Sequence, residues 1–275
     1  MKLKKLTLRR LQLPLTVPYR LSLGALEAFD TIVVEAEDRD GRSGIGEATL
    51  LTGYTDETIA GSWQLACELA QQIAGIEAAD AKQILLTHHA QAPFTVTALA
   101  TAIEMLEGSP LLDIRQPTPV PILGVLNAKQ DVAAEIETLL AAGFDTLKVK
   151  VGFDVAHDLA HVANIQHALG GRASIRLDAN QGYDRAAACR FAASLDPAGI
   201  ELFEQPCAAH DWDSAAAVAR VATVPMMLDE SIYGLADIAR AAELRAARYI
   251  KLKLMKMGSL AGLAEGLQFI RDCGM

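Results

Sequence analysis

Charged residues recur at nearly regular intervals in the second half of the sequence. They are Lys150, Asp178, Glu204, Asp229 and Lys253, and successive members stand 24 to 28 residues apart. Each lies at the end of a short apolar segment typical of a β-strand. Three carboxylates from neighbouring strands provide an oxygen-only site for a hard cation, for which Mg²⁺ is the natural choice and Mn²⁺ an alternative. The set contains no histidine or cysteine, which argues against zinc.

The two lysines in this set suit proton transfer. The acids lie between them in strand order, so Lys150 and Lys253 are expected to face each other across the metal. One lysine would remove a proton from the carbon next to a substrate carboxylate, and the other would return a proton to the opposite face. Acid–base assistance supplies only ~10²–10⁴-fold, so electrostatic stabilisation by the metal must carry the larger share.

Each carboxylate also has a purely structural explanation. Asp178 would cap a turn, Asp229 would cap a helix, and Glu204 would be solvated in a loop. Taken together these explanations are weak, because an uncompensated buried charge costs several kcal/mol. Charges that converge on one site must therefore compensate one another or bind something.

Alternating strands and helices position these residues. Strands are predicted at 121–126, 146–151, 174–178, 199–204, 225–228 and 249–253, and the helices between them include 130–142, 155–169 and 185–195. Six βα units in a row indicate a (β/α) barrel or a doubly wound sheet. A βα barrel carries its active site at the C-terminal ends of its strands, where the charged residues fall.

Other lysines belong to the same segments. Alternation in LKVKVG puts Lys148 and Lys150 on one strand face, with Lys148 one layer deeper, where it would tune charge and position. Lys251 is likewise predicted one layer below Lys253, and Lys256 is predicted in a loop. Neither of these last two is expected to act in catalysis.

Residues 1–115 lack this repeat. Predicted strands at 31–37 and 44–48 are followed by predicted helices at 56–73 and 93–106, which favours an α+β domain. The leucines between residues 6 and 15 predict a further strand with one irregularity. Residues 116–275 form the predicted barrel domain, truncated after its sixth unit.

The overall composition excludes several classes of function. The chain has 275 residues and a net charge of −9, which gives no sign of a nucleic-acid or membrane partner. It has no apolar run of the ~18 residues that span a bilayer. The four cysteines are far apart and are expected to be reduced thiols in a cytoplasmic protein.

Five motifs together resemble a known family. They are KVK (Lys148–Lys150), DANQGY (Asp178–Tyr183), FEQP, which contains Glu204, LDES, which contains Asp229, and KLMKMGS (Lys253–Ser259). In order and spacing they resemble the enolase superfamily, specifically its muconate lactonizing enzyme subgroup, and dipeptide epimerases most of all. GRSGIGEAT near the N-terminus resembles the capping domain of that family. Ser259 stands where the epimerase pattern has a second glycine.

The resemblance implies a fold and a set of roles. It implies a TIM-type (β/α) barrel preceded by an α+β capping domain. It implies metal ligation by Asp178, Glu204 and Asp229, acid–base roles for Lys150 and Lys253, and support from Lys148, Asn180 and Glu230. Loops at 18–29 and 51–58 would cap the pocket, which makes Tyr19, Arg20 and Tyr54 candidate substrate contacts.

We therefore expect a Mg²⁺-dependent isomerase that abstracts a proton α to a carboxylate. The expected reaction is racemisation or epimerisation of a dipeptide or N-acyl amino acid, a small carboxylate substrate, by a homo-oligomer. Rivals within the same chemistry are a muconate-type cycloisomerase and an o-succinylbenzoate synthase-type dehydratase. Outside it are a Schiff-base aldolase that uses Lys253 and an inactive barrel remnant that acts as an interaction partner.

The number of βα units raises a further expectation. A closed barrel needs eight units, and two more would need ~50 residues. The sequence therefore predicts either a portion of a longer polypeptide or strands supplied from elsewhere. The segment HDLAH (His157–His161) superficially resembles a zinc-binding helix, but its place in a crossover helix argues against a metal role.

Overall fold

The computed structural model describes residues 1–21, 24–51, 55–127 and 131–275. It divides into two compact units. One contains Met1–Pro117 and Lys253–Glu265, and the other contains Thr118–Leu252 and Gly266–Met275. The domain limits at 1–115 and 116–275 stay a prediction.

The first unit begins with an antiparallel sheet. Within the described residues its three strands are β1 (Leu3–Leu21), β2 (Gly24–Asp38) and β3 (Ser43–Thr49), in that order. Pairing of β1 with β2 shifts between Leu3 and Lys5 and between Pro14 and Tyr19, and it is continuous from Lys5 to Pro14. The break in the leucine spacing is therefore not a bulge, and Leu11 and Leu13 lie on the exposed side of the strand.

Helices α1 (Ile59–Ile73), α2 (Ala78–Leu86) and α3 (Pro93–Glu107) follow the sheet. Helix α3 packs so closely on β3 that a Cβ atom at Gly46 would lie 1.9 Å from the carbonyl oxygen of Ala98. The same holds at Gly44, where the distance to the carbonyl oxygen of Ala102 is 2.2 Å. Gly44 and Gly46 of GRSGIGEAT therefore permit helix–sheet contact, because any larger residue would separate the two layers.

The second unit contains a parallel sheet of six strands among the described residues. They are β4 (Gly124–Leu126), β5 (Thr146–Lys150), β6 (Ser174–Asp178), β7 (Ile200–Glu204), β8 (Met226–Leu228) and β9 (Tyr249–Ile250), and their order in the sheet is their order in the chain. The crossover helices are α4 (Val132–Ala141), α5 (Val155–Leu169), α6 (Arg185–Ser194), α7 (Trp212–Val221) and α8 (Leu235–Leu244). This arrangement matches the predicted series of βα units.

The starts of four crossover helices have the same local cause. An aspartate at the N-cap accepts a hydrogen bond from a backbone N–H in the first turn, which satisfies a donor that the helix leaves unpaired. These N-caps are Asp131, Asp154, Asp184 and Asp211. The caps fix where each helix begins after its strand, and they thereby set the length of the loops that carry the candidate site.

Alternation along the strands separates core from site. Leu147 and Val149 of β5 and Leu177 of β6 are almost wholly buried in the apolar core, which the crossover helices complete with residues such as Ile165 and Phe191. The intervening residues point to the opposite face of the sheet. That face therefore receives the charged side chains of β5 and β6.

The chain after β9 differs from its prediction. The strand predicted at 249–253 ends at Ile250, and helices α9 (Leu254–Met257) and α10 (Leu260–Asp272) follow. Lys256 lies in α9 and is fully buried, so its prediction as a loop residue is wrong. The predicted loop at 18–29 is also wrong for the described residues, which belong to β1 and β2. Within the described ranges, no helix combines the length and apolar character that a bilayer crossing requires.

Candidate active site at the C-terminal ends of the parallel strands

Three acidic residues lie at the same end of successive strands. Asp178 and Glu204 are the last residues of β6 and β7 and pair in register, and Asp229 directly follows β8. Their exposed fractions are 1%, 3% and 1%. Parallel pairing thus gathers three buried carboxylates at one edge of the sheet.

Two lysines of β5 contact these acids. Lys148 Nζ lies 2.6 Å from Asp178 Oδ2 and 3.0 Å from Glu204 Oε2, so its ammonium group bridges two strands. Lys150 Nζ lies 2.7 Å from Asp178 Oδ2 and also donates to Asn180 Oδ1. The Lys148 side chain is 13% exposed and that of Lys150 is 43% exposed. The deeper lysine is therefore placed to compensate charge, and the outer lysine remains accessible to a small molecule.

Lys251 joins the same cluster, although the sequence analysis did not include it. Its backbone N–H donates to the carbonyl oxygen of Leu228, which aligns it with the end of β8. Its Nζ lies 2.8 Å from Glu204 Oε1 and 3.3 Å from Asp229 Oδ2. The sequence signal for Lys251 was the strand alternation, which predicts Lys251 and Lys253 on the same strand face.

The mutual compensation changes the acidity of the groups. Burial alone would raise the pKa of Asp178, but the charges and hydrogen bonds of Lys148 and Lys150 lower it below its usual value. Burial alone would lower the pKa of Lys251, but the charge of Glu204, a hydrogen bond to it and the charge of Asp229 raise it. Charge attraction thus outweighs desolvation at both positions.

Asn180 and Glu230 form the outer part of the cluster. The Asn180 backbone N–H donates to Asp178 Oδ1 at 2.9 Å, and its side-chain amide donates to Glu230 Oε1 at 3.0 Å. Burial raises the pKa of Glu230. Its Oε2 atom is buried and accepts no hydrogen bond from any residue in the described part of the chain. A buried acceptor with no donor indicates a place for an external donor or cation.

Gln205 ties the acidic loops together. It is 1% exposed, and its Oε1 accepts the backbone N–H groups of Asp229 and Ser231 at 3.0 and 3.2 Å. Its Nε2 donates to the carbonyl oxygen of Cys207 and to Ser231 Oγ. Its φ of 37° lies in the left-handed region, which non-glycine residues rarely adopt. The sequence gives no signal of this role, because nothing in FEQP indicates a strained glutamine.

The loop after β5 is held by Asp158, the one acid of HDLAH. Asp158 Oδ2 accepts the backbone N–H groups of Gly152, Phe153 and Asp154 and the hydroxyl of Tyr183 at 2.5 Å. Burial and the hydrogen bond to Asp158 raise the pKa of Tyr183. HDLAH therefore holds the loop after Lys150 in place. The expectation that HDLAH has no metal role stays a prediction.

A hard cation would have to bind among these acids and lysines. Across the described ranges, no three side chains of His, Cys, Asp or Glu are positioned to hold a metal ion together, and the ammonium groups of Lys148 and Lys251 lie between the carboxylates. The donor chemistry nevertheless fits Mg²⁺, because Asp178, Glu204 and Asp229 offer only oxygen ligands from adjacent strands. Glu230 Oε2 adds a buried acceptor without a donor. The fit therefore rests on donor type and strand placement, and it requires the ammonium groups to give way.

Four further candidate residues are Lys253, Tyr19, Arg20 and Tyr54. Lys253 is the N-cap of α9 and belongs to the first compact unit. Tyr19 and Arg20 lie in β1, but their side chains lie outside what the structure describes, and Tyr54 lies outside the described residues altogether. The roles of these four residues stay predictions.

Comparison with known proteins identifies the family. The model of the enolase C-terminal domain-like family matches residues 131–275, which is more than half of the chain. The chain belongs to this family. An L-Lys-D/L-Arg epimerase of Methylococcus capsulatus is 31% identical to this enolase-family chain over 95% of the chain and 77% of the relative.

Solved structures agree with this assignment. A dipeptide epimerase from Enterococcus faecalis V583, complexed with Mg and the dipeptide L-Leu-L-Tyr, superposes with a TM-score of 0.90 at 28% identity, over 100% of this chain and 81% of that one. The muconate lactonizing enzyme from Pseudomonas fluorescens, complexed with muconolactone, superposes with a TM-score of 0.88 at 25% identity, over 100% and 78%. The predicted family, the capped barrel fold and the prediction of an enzyme of the enolase superfamily are confirmed.

Proposed function

We propose that this enolase-family chain is a Mg²⁺-dependent epimerase or racemase that abstracts a proton α to a carboxylate. The proposed substrates are dipeptides or N-acyl amino acids. One observation carries the proposal. Lys150, a half-exposed ammonium group at the end of β5, contacts the first of three buried carboxylates on successive strands.

The family relatives support the choice of substrate class. The relatives described above include an L-Lys-D/L-Arg epimerase and a dipeptide epimerase complexed with Mg and the dipeptide L-Leu-L-Tyr. An epimerase inverts the configuration at one carbon of its substrate. A carbon of this kind next to a carboxylate carries the proton that a lysine base would remove.

The proposed roles follow from the contacts. Asp178, Glu204 and Asp229 would hold Mg²⁺, which when bound supplies positive charge where negative charge develops on the substrate carboxylate. Lys150, the more accessible lysine of β5, would exchange a proton between its Nζ and the substrate α-carbon. Lys148 would hold Asp178 and Glu204 in position. The family resemblance gives Lys253 the second acid–base role, which we retain as a proposal.

The acid–base residue must lie at a fixed distance from the reacting carbon. The contacts of Lys150 with Asp178 and Asn180 would hold its ammonium group in place. Asn180 Oδ1 and Asp178 Oδ2 both accept from Lys150 Nζ, which restricts the lysine to one region of the sheet edge. A side chain fixed in this way loses less conformational freedom when substrate binds. Asn180 is therefore proposed to orient Lys150.

The decisive experiment measures exchange of the α-proton in D₂O. A panel of dipeptides and N-acyl amino acids is incubated with the protein and Mg²⁺, and deuterium incorporation is followed by NMR or mass spectrometry. Wild-type protein is expected to exchange the α-proton of at least one substrate. Lys150→Ala and Lys253→Ala together are expected to abolish the exchange, and exchange that survives in this double variant would contradict the mechanism.

Matched controls separate chemistry from folding. Lys82→Ala removes a lysine that pairs with Glu107 in the first unit, and exchange is expected to continue. Asp229→Asn tests the metal directly, because loss of one carboxylate ligand is expected to weaken Mg²⁺ binding in calorimetry while circular dichroism remains native-like. If wild-type protein binds no divalent cation, the metal-dependent proposal is wrong.

A second candidate function is cycloisomerisation of a muconate-type diacid. The likeness to the muconate lactonizing enzyme favours it, and it needs the same proton chemistry at a carboxylate. Turnover of the diacid without exchange in any dipeptide or N-acyl amino acid would select this alternative.

A further inference from the structure

Both carboxylate oxygens of Glu204 are held by ammonium groups. Lys148 Nζ lies 3.0 Å from Oε2, and Lys251 Nζ lies 2.8 Å from Oε1. A carboxylate has a limited set of lone pairs, and each such contact uses part of them. A divalent cation that takes Glu204 as a ligand would therefore lie close to one of the two ammonium groups, whose positive charge repels it.

The contacts indicate which lysine yields. Lys148 makes contacts of 2.6 and 3.0 Å and is 13% exposed. Lys251 makes contacts of 2.8 and 3.3 Å and is 33% exposed. Lys251 has the longer contact to Asp229 and the greater access to water. Displacing its ammonium group therefore costs less free energy than displacing that of Lys148, because its charge can be solvated.

We propose that Lys251 is a built-in competitor of the metal, whose ammonium group neutralises Glu204 and Asp229 when no metal is bound and lowers the affinity of the site for Mg²⁺. This inference rests on the proposed function, since it assumes that these two acids are metal ligands. It assigns Lys251 no contact with the substrate, so Lys251 is a positioning residue.

The charge of Lys251 has opposite effects on the metal-free and the metal-bound protein. Without the ammonium group, Glu204 and Asp229 would be buried acids with less compensation, which destabilises the metal-free protein. With it, binding of Mg²⁺ must first break two ion pairs and then place a divalent cation near a retained positive charge. Lys251 therefore stabilises the metal-free fold and lowers the affinity for Mg²⁺.

Calorimetric titration with Mg²⁺ tests the proposal on the full chain. Lys251→Met removes the charge and keeps a side chain of similar length. The variant is expected to bind Mg²⁺ about tenfold more tightly or better, since a unit charge beside the ligands has been removed. In EDTA it is expected to melt at a lower temperature than wild type, and saturating Mg²⁺ is expected to raise its Tm by more.

Two controls isolate the position of the charge. Arg172→Met removes a cation from the exposed Arg172–Glu137 pair of the same unit, and its Mg²⁺ affinity is expected to stay within twofold of wild type. Lys251→Arg retains the positive charge and is expected to gain no affinity. An equal gain in Arg172→Met would show that only net charge matters, and the proposal would fail.

The remaining outcomes are also decisive. If wild type binds Mg²⁺ and Lys251→Met binds it no more tightly, the proposal fails while the proposed function stands. If neither protein binds a divalent cation, both fail. Should Lys251→Met not fold in EDTA, Lys251→Gln is titrated instead. If both variants stay unfolded even in saturating Mg²⁺, Lys251 is a structural requirement and the proposal is overturned.

Discussion

Gln205 Oε1 accepts the backbone N–H of Asp229 at 3.0 Å, which fixes the residue after β8 to the residue after β7. The bond joins the loops that follow β7 and β8. It places the third carboxylate of the cluster by a contact to the main chain, and the side chain of Asp229 faces Lys251.

Replacement of Gln205 by methionine is expected to lower the free energy of unfolding by about 2–4 kcal/mol. The substitution keeps the side-chain length but leaves the backbone N–H groups of Asp229 and Ser231 without their acceptor, and each unsatisfied buried group costs about 1–3 kcal/mol. Chemical denaturation measures the change. Gln166→Met is the control, since Gln166 donates only to two exposed carbonyl groups, and it is expected to cost less than about 1 kcal/mol.

The two lysines of β5 are expected to differ in their effect on stability. Lys148→Met leaves the buried Asp178 and Glu204 without a shared cation and is expected to destabilise the metal-free protein by about 3–5 kcal/mol. Lys150→Met removes a half-exposed partner and is expected to cost about 1 kcal/mol or less. Urea denaturation in EDTA compares the two variants. Equal losses would contradict the view that Lys148 compensates charge and Lys150 serves the substrate.

Stability is expected to fall in acid because of Asp178. Its folded pKa lies below the usual value, so the folded state keeps the carboxylate ionised where the unfolded chain binds a proton. The stabilisation is therefore present above about pH 4, the ordinary range of an aspartate, and it is lost as the pH falls further. Asp178→Asn is expected to flatten this part of a plot of unfolding free energy against pH from 6 to 3. Glu137→Gln, in an exposed pair, should leave the slope near that of wild type.

Asp158 is expected to be required for the loop that follows Lys150. Asp158→Ala removes the shared acceptor of three backbone N–H groups and the Tyr183 hydroxyl and is expected to cost about 3–5 kcal/mol. Tyr183→Phe removes one of these bonds and is expected to cost about 1–2 kcal/mol. Thermal and urea unfolding measure both. Asp184→Ala, which removes a helix cap with one N–H partner, is the control at about 1 kcal/mol, and a loss at Asp158 no larger than this would refute the role.

Much of the fold followed from the sequence, because apolar alternation and repeat length determine where parallel strands occur. The strands ending at Asp178 and Glu204 appear where they were predicted, within one residue. Helix α2, which has only nine residues, was not predicted. The strand before Lys253 was drawn too long because β-type alternation continues through residues that the sheet no longer pairs.

The candidate site was less predictable than the fold. Residue type identified Asp178 and Lys150, but the roles of Gln205 and Lys251 depend on reach. The backbone of Gln205 adopts a left-handed conformation, which directs its side chain and which a glutamine in the sequence does not predict. Alternation predicted Lys251 on the face of Lys253, but it says nothing about which acids a flexible ammonium group will contact.

The agreement between sheet order and chain order has a consequence for biosynthesis. Each strand from β5 to β9 pairs with the strand made just before it, so the sheet can grow as the ribosome extends the chain, through contacts of short sequence separation. Lys148 and Lys150 are made first, and Asp178 and Glu204 then reach a nascent sheet that already carries positive charge. Asp229 follows, and Lys251, which contacts it, is made later. Lys251 therefore adds its positive charge to Glu204 and Asp229 only after all three acids have been made, and it is the last of these charged groups to leave the ribosome.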